Sequence, residues 1–335
     1  MSVNGFIDSY ASYNPNNPGN TANGQTNDLY NFNDKTNRYD LAAARLTLNH
    51  DPAPWGARVD LLYGRANKLV NLSSQADFVE QAFSSLKPTH AKGLELDLGK
   101  FVTSAGAEVM ESKDNWNYSR SLLFAWAIPY YHFGIRSSIP LSTAETIGVQ
   151  EVNGWNNITK STGGATTGLT SAFVKPKYTI DTNIYTGTSN TDTQHGYRNL
   201  IDSVLLLTPN AKFNAYINYD YAQNKNSISG GQGNNLIYRW QGVAFAARQQ
   251  LSGKFAAAGR VEYFADSKGF ATGAAQHLKE FTGTGEYKLP QGLLTRLEYR
   301  RDWSDVAFFH KGNVELVDAQ STLTLGVVAI FGPLH

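Results

Sequence analysis

Cysteine is absent from the 335-residue chain, and so is any excess of charge of one sign. Without thiols the protein cannot form disulfides, a thiolate nucleophile or a metal site that needs cysteine. The 29 Lys and Arg residues nearly balance the 28 Asp and Glu residues. Such a balance lacks the basic surface that nucleic-acid binding needs, so we expect no nucleic-acid partner.

Long hydrophobic runs are also absent. No apolar stretch approaches the roughly 18 to 20 residues that an α-helix needs to cross a bilayer. Only 41% of the residues are hydrophobic, and the mean hydropathy is -0.37. These values do not exclude a membrane protein, because barrel strands alternate lipid-facing and lumen-facing residues and are mildly polar on average.

The sequence begins with MSVNGF and enters an alternating segment at once. It shows neither the charged region nor the apolar region of an export signal. We therefore expect an exported protein of this sequence to be a mature form from which the signal has been removed.

Catalytic fingerprints are missing as well. The chain contains no G-x-S-x-G, H-E-x-x-H, P-loop or dinucleotide-binding pattern, and its seven His residues do not occur at metal-ligand spacing. We expect no catalytic residues, no metal and no cofactor, and hence a protein that is not an enzyme. An outer-membrane barrel hydrolase stays open as an alternative.

The chain does contain segments of about ten residues in which polar and apolar residues alternate. In one of them Ile217 and Tyr219 face one side while Asn218 and Asp220 face the other, which is the pattern of a strand between lipid and water. About sixteen such strands are predicted, and an even number allows both chain ends to lie on the periplasmic side. Their predicted starts are Val3, Tyr39, Ala57, Phe78, Gly93, Tyr130, Thr146, Leu169, Tyr178, Arg198, Ala211, Ile237, Lys254, His277, Gly292 and Gln320.

The gaps between these segments are alternately short and long. Short gaps such as HDPAPWG, LSGK and LPQG carry turn residues. The long gaps are polar, and the first, residues 14–37, is rich in Asn, Gly and Pro, so we expect it to be mobile. Short periplasmic turns and long external loops are typical of outer-membrane barrels.

The predicted fold is therefore all-β: residues 1–335 form a single transmembrane antiparallel up-and-down β-barrel of about sixteen strands. A soluble β-sandwich or lectin-like binding protein is the alternative, since there too strands alternate. Tyrosines at predicted strand ends favour the membrane, where they would form aromatic girdles. They are Tyr10, Tyr13, Tyr63, Tyr178, Tyr221, Tyr263 and Tyr299.

The third long gap, residues 102–128, combines charges with aromatic residues such as Trp116 and Trp126. A sixteen-stranded barrel is too wide for its own side chains to fill, so we predict that this segment folds inward and narrows the pore. An external cap is the alternative. The predicted constriction residues are Glu108, Glu111, Lys113, Asp114 and Arg120, and the predicted pore-lining wall residues are Arg58, Asp60, Glu95, Asp97, Arg136, Arg260, Glu262, Arg296, Glu298 and Arg300.

A resemblance supports this interpretation. The segment GLELDLGKFVTSAGAEVMESKDNWNYSRSLLFAWAIPYYHFGIR, followed by VNGW at Val152 to Trp155, resembles the OmpL-like β-barrel porins. The strands RVEYF and RLEYRRD are similar to that family too, and the stretch from Ser112 to Ser121 is the most specific part. The likeness extends over most of the chain after Asp77.

The resemblance implies an outer-membrane porin of a Gram-negative bacterium that lets small hydrophilic solutes and ions diffuse passively through a water-filled pore. The implied partners are the lipid bilayer and lipopolysaccharide, with either a homotrimer or a monomer as the assembly. Because charges of both signs occur on the predicted wall, the preference for anions or cations stays open.

Overall fold

The computed structural model describes residues 1–19, 25–70, 77–160, 164–188, 196–225 and 236–332. Within these ranges sixteen of eighteen strands form one closed sheet. Those sixteen are β1 Ser2–Tyr13, β2 Arg38–His50, β3 Trp55–Tyr63, β4 Val79–Leu86, β5 Glu95–Val102, β6 Tyr131–Pro140, β7 Glu145–Val152, β8 Thr166–Lys175, β9 Tyr178–Gly187, β10 Tyr197–Leu207, β11 Phe213–Lys225, β12 Ile237–Gln250, β13 Phe255–Asp266, β14 Gln276–Leu289, β15 Leu293–Ser304 and β18 Ala319–Phe331. Each begins within three residues of its predicted start.

Every strand pairs antiparallel with its neighbours, and the first and last strands close the barrel. β1 pairs with β18 from Gly5 opposite Phe331 to Tyr13 opposite Leu323. Closure leaves no strand edge, so backbone groups are hydrogen-bonded within the sheet, as a lipid environment requires. The predicted up-and-down barrel is confirmed, and the β-sandwich alternative is wrong because one sheet closes on itself.

Alternating residues face opposite sides of the wall. On β15, Leu297 points outward with 55% of its surface exposed, whereas the next residue, Glu298, points inward and is 1% exposed. Outward-facing Leu325 lies beside Leu297 on β18. The outer surface is thus a continuous apolar band, because the period-2 pattern is in register from strand to strand.

One end of the barrel carries short turns and the other carries long connections. The short turns join strands at residues 51–54, 87–94, 141–144, 176–177, 208–212, 251–254 and 290–292, and the long connections span residues 14–37, 64–78, 103–130, 153–165, 188–196, 226–236, 267–275 and 305–318. The second long connection contains the helix α1 Arg65–Val70, and the last contains the hairpin β16 Phe309–Lys311 and β17 Glu315–Val317. Of the residues that the structure describes, none belongs to a helix with the length and apolar character needed to span a bilayer.

Two expectations from the sequence are wrong: that the first long connection is mobile, and that Tyr10 belongs to an outer aromatic girdle. Residues 25–37 are packed rather than mobile, because Leu29, Tyr30 and Phe32 are buried against neighbouring segments; residues 20–24 lie outside the described residues. Tyr10 faces the lumen and is buried, so it does not belong to an outer girdle. In both cases an aromatic side chain is covered by residues distant in sequence.

The lumen and its third loop as the candidate functional site

The connection between β5 and β6, residues 103–130, lies inside the barrel and is called the third loop below. It contains a short 3-10 turn at Ser112–Asp114 and one π-helical turn at Leu123–Ala127. Its middle, residues 117–123, is buried. A buried segment with so little regular structure must find hydrogen-bond partners for its backbone elsewhere.

Carboxylates of the barrel wall supply partners for the backbone N–H groups. Glu298 of β15 accepts hydrogen bonds from Tyr118 N at 2.5 Å and from Ser119 N at 2.9 Å. Glu262 of β13 accepts in the same way from the N–H groups of residues 122–123, at 3.0 and 3.2 Å. Such charge-assisted bonds are stronger than neutral ones, so two wall residues fix the central part of the loop.

Guanidinium groups supply partners for the backbone carbonyls. Arg296 of β15 donates to the carbonyl oxygens of Ser112 and Asn115, and Arg300 of β15 donates to that of Arg120 at 2.8 Å. The planar fork of arginine can reach several acceptors at once. The charged face of β15 is therefore used mainly to bind the loop.

Ion pairs join loop and wall as well. Arg260 of β13 meets Glu108 at 2.7 Å and also donates to Ser119 O at 2.9 Å. Glu111 pairs with Arg45 of β2. The loop is thus anchored through both charged side chains and backbone groups.

The loop reaches opposite walls of the barrel. Asp8 of β1 accepts hydrogen bonds from Ser112 Oγ at 2.5 Å and Tyr118 Oη at 2.7 Å, whereas Ser104 donates to Asn183 of β9 at 2.8 Å. β1 and β9 are eight strands apart in the sixteen-strand order, so they face each other across the lumen. The loop therefore crosses the lumen instead of following one wall.

Residues of the first long connection cover the external side of this loop. Trp126 Nε1 donates to Leu29 O at 3.0 Å, and the Arg120 guanidinium lies 4.8 Å from the centre of the Phe32 ring. Tyr130 Oη donates to Ala125 O at 2.6 Å. Burial raises the pKa of the Tyr130 phenol, so it remains a hydrogen-bond donor at neutral pH.

The five predicted constriction residues occupy two different environments. Glu108 and Arg120 are buried within the loop-wall contact, and Glu111 is largely buried by its pair with Arg45. Lys113 and Asp114 pair with each other at 2.5 Å, and Asp114 is 52% exposed. Among the five, water reaches Asp114 most freely.

The ten predicted wall residues also separate into two groups. Arg260, Glu262, Arg296, Glu298 and Arg300 are buried beneath the loop. Nearer the end with short turns, Arg58 pairs with Asp60 at 3.0 Å, Arg136 with Asp97 at 2.8 Å, and Glu95 with Lys87 at 3.0 Å. In this second group Arg58, Arg136 and Glu95 keep contact with solvent.

Sequence reasoning missed several carboxylates of the same network, among them Asp8 and Glu280. Asp8 binds the loop, and Glu280 of β14 lies 3.2 Å from Arg260. Both occupy the polar face of an alternating strand, so the period-2 pattern could have identified them.

Among the described residues, no group of three or more His, Cys, Asp or Glu side chains could hold a metal ion.

A space of about 200 Å³ remains between the loop and strands β9 to β11. Glu108, Asp114 and Trp116 line it on the loop side. Asp181 and Tyr216 line it on the wall side, where the Tyr216 and Trp116 rings lie 5.1 Å apart. This space combines acidic groups with aromatic surfaces.

Solved structures of outer-membrane proteins share this architecture. The anion-selective porin from Comamonas acidovorans superposes with a TM-score of 0.66 at 11% identity, covering 98% of this chain and 99% of that one. OmpT of Vibrio cholerae gives 0.60 at 12% identity, with 98% and 97% covered. OmpF of Salmonella typhi, solved in complex with daunomycin, gives 0.58 at 14% identity, with 98% and 97% covered. At such identities the likeness establishes the fold alone.

The sequence itself identifies the family. No curated protein matches the chain. Residues 1–331 match the family described as "Putative beta-barrel porin-2, OmpL-like". That match covers all sixteen strands of the closed barrel and the third loop. The chain therefore belongs to the OmpL-like β-barrel porin family and is an outer-membrane porin.

Proposed function

We propose that this porin conducts small hydrophilic solutes and ions passively through a pore whose narrowest part is formed by the third loop. The observation that carries the proposal is the attachment of one loop to both β1 and β9 across the lumen. A segment held at both walls reduces the free cross-section, and a narrow section dominates the resistance of a channel.

Charge at the narrow section would then influence which ions pass. Asp114 and Asp181 line the space beside the loop. Arg58 and Arg136 are partly exposed lumen cations nearer the short-turn end, and each is paired with a carboxylate. Ions that pass the loop would meet acidic groups, since many of the other lumen charges are neutralised by buried ion pairs or backbone contacts.

We propose further that the protein conducts solutes without catalysing a reaction. It lies in the outer membrane of a Gram-negative bacterium, in contact with lipopolysaccharide, and is either a homotrimer or a monomer. Trimeric and monomeric forms would be separated by native mass spectrometry in detergent. A barrel hydrolase is the competing function, and it would cleave lipid or peptide substrates in the absence of any conductance.

Planar-bilayer recording of the refolded protein tests the proposal directly. Stepwise, voltage-independent conductance is the expected result. A folded protein that gives no steps but hydrolyses lipid or peptide would replace the pore with the hydrolase.

A further inference from the structure

A second space, of about 160 Å³, lies between the π-helical turn of the third loop and the external ends of β10 and β12. Its lining is dominated by aromatic side chains, with one cation among them. These residues are Trp126, Tyr130, Trp155, Arg198, Trp240 and Phe270. No residue of the predicted constriction or wall sets belongs to it.

Arg198 is the unusual member of this lining. Its guanidinium lies 5.2 Å from the centre of the Trp155 ring and 5.1 Å from that of Phe270, and its Nε donates to Asn224 Oδ1 at 2.9 Å. In the part of the chain that the structure describes, no carboxylate lies within ion-pair distance of it. Aromatic rings replace part of the hydration shell of a cation. A counter-ion therefore stabilises a cation in such a place.

Arg136 is a second arginine that contacts two aromatic rings, and unlike Arg198 it has an ion-pair partner among the residues that the structure describes. Its guanidinium also lies against two aromatic rings, 5.1 Å from Phe83 and 4.6 Å from Phe101. There Asp97 completes the arrangement with an ion pair of 2.8 Å. At Arg136 the stacked guanidinium is thus paired with a carboxylate, whereas at Arg198 its polar partner is the neutral side chain of Asn224.

The aromatic rings around Arg198 are held in place before any ligand arrives. Trp240 and Phe270 stack at 5.1 Å with an angle of 15° between their planes. Trp240 Nε1 donates to Ala127 O at 3.1 Å. Asp266 accepts hydrogen bonds from the backbone N–H groups of residues 270–272 at 2.8 to 3.0 Å, which fixes the turn that carries Phe270. Preorganised groups lose little freedom on binding.

We propose that this space is a binding site for a small monocyclic aromatic carboxylate. The ring lies among Trp155, Trp240 and Phe270, and the carboxylate accepts hydrogen bonds from the guanidinium of Arg198. The space of about 160 Å³ is large enough for the ring, since an apolar cavity of about 150 Å³ holds a benzene molecule. The inference rests on the proposed function for the route by which such a solute reaches the site.

Titration of the tryptophan fluorescence of the full refolded chain in detergent tests the site. Benzoate, benzamide and acetate are the probes, because benzamide lacks the charge and acetate lacks the ring. We expect saturable quenching by benzoate, with benzamide and acetate each binding about ten-fold more weakly or worse. Equal binding of benzoate and benzamide, or of benzoate and acetate, would overturn the proposal without the need for any variant.

Two variants locate the site. Arg198→Gln should weaken benzoate binding about ten-fold or more. Arg136→Gln, which alters the stacked but ion-paired arginine, should leave it unchanged. Unaltered binding in Arg198→Gln, or an equal loss in both variants, would place the anion elsewhere and overturn the assignment.

Bilayer recording separates this inference from the proposed function. Conductance without added benzoate measures the pore, whereas fluorescence measures binding whether or not the protein conducts. Conductance together with no benzoate binding would leave the pore and remove the site. Binding in a protein without conductance would keep the site and remove the pore.

Discussion

Arg260 and Glu108 form an ion pair of 2.7 Å between β13 and the third loop, and their side chains are only 0% and 4% exposed. Glu262 and Glu280 lie 2.9 and 3.2 Å from the same guanidinium. Removal of the cation leaves two buried carboxylates, Glu108 and Glu262, without an ion-pair partner among the described residues. We expect Arg260→Met to lower the free energy of unfolding by about 3–5 kcal/mol in a urea titration.

A more exposed arginine provides the control for this variant. Arg58 is 34% exposed, and its partner Asp60 keeps contacts with Arg45 and Gln81. Arg58→Met should cost at most about 1 kcal/mol. Equal losses in the two variants would show that the Arg260 network does not stabilise the loop.

Shortening the third loop should widen the pore. Replacement of residues 108–121 by a short Gly-Ser linker removes most of the segment that reaches the β1 wall. Conductance should rise and larger neutral polymers should enter, as measured in planar bilayers and by polymer exclusion. Unchanged conductance in a correctly folded variant would assign the narrowest section to another part of the barrel.

The control for the shortened loop must avoid the first long connection, because that connection packs on the third loop. The tip of the β16–β17 hairpin is better suited, since Val314 there is fully open to solvent. Val314→Ser keeps the backbone bonds of Gly312 to Asn16 and Gly19 of the first long connection, and it should leave the conductance as it is.

Charge reversal at the exposed loop carboxylate should change ion preference. Asp114 lines the space beside the loop, whereas Glu315 lies on the external hairpin. Asp114→Lys should shift the reversal potential toward that of an anion-selective pore. At a narrow section the permeating ions pass within one Debye length of the fixed charge, so salt screens it little. Glu315→Lys should produce no shift, and equal shifts would argue against a local effect of the loop. Glu111→Lys should move the potential in the same direction, but it also breaks the pair with Arg45.

A charged residue introduced on the outward face should lower the free energy of unfolding far more than one introduced on the water-accessible lumen face. Leu297→Arg near the bilayer midplane should lower the free energy of unfolding by about 2–4 kcal/mol. Thr170→Arg is the matched lumen control, because Thr170 pairs with inward-facing Asn183 and is only partly buried. Equal costs in a refolding titration would mean that the two faces are assigned incorrectly.

The barrel could be predicted because its determinants are local. Alternation such as Leu297 beside Glu298 assigns each residue to lipid or lumen from its neighbours alone, since successive side chains of a strand point to opposite faces. Turn residues marked the short connections for the same reason. The β16–β17 hairpin was missed because three-residue strands are too short to show a period.

What the sequence by itself determined is therefore which residues enter the lumen. Only the tertiary structure decided what they meet there: Glu298 contacts the backbone of the third loop rather than water, Phe32 packs on that loop, and Arg198 stacks on Phe270. These partners come from distant parts of the chain, and a charged residue on the polar face of a strand has the same local pattern in either environment. Whether such a residue contacts the third loop or water depends on the path of the loop across the barrel, which many hydrogen bonds and ion pairs determine together.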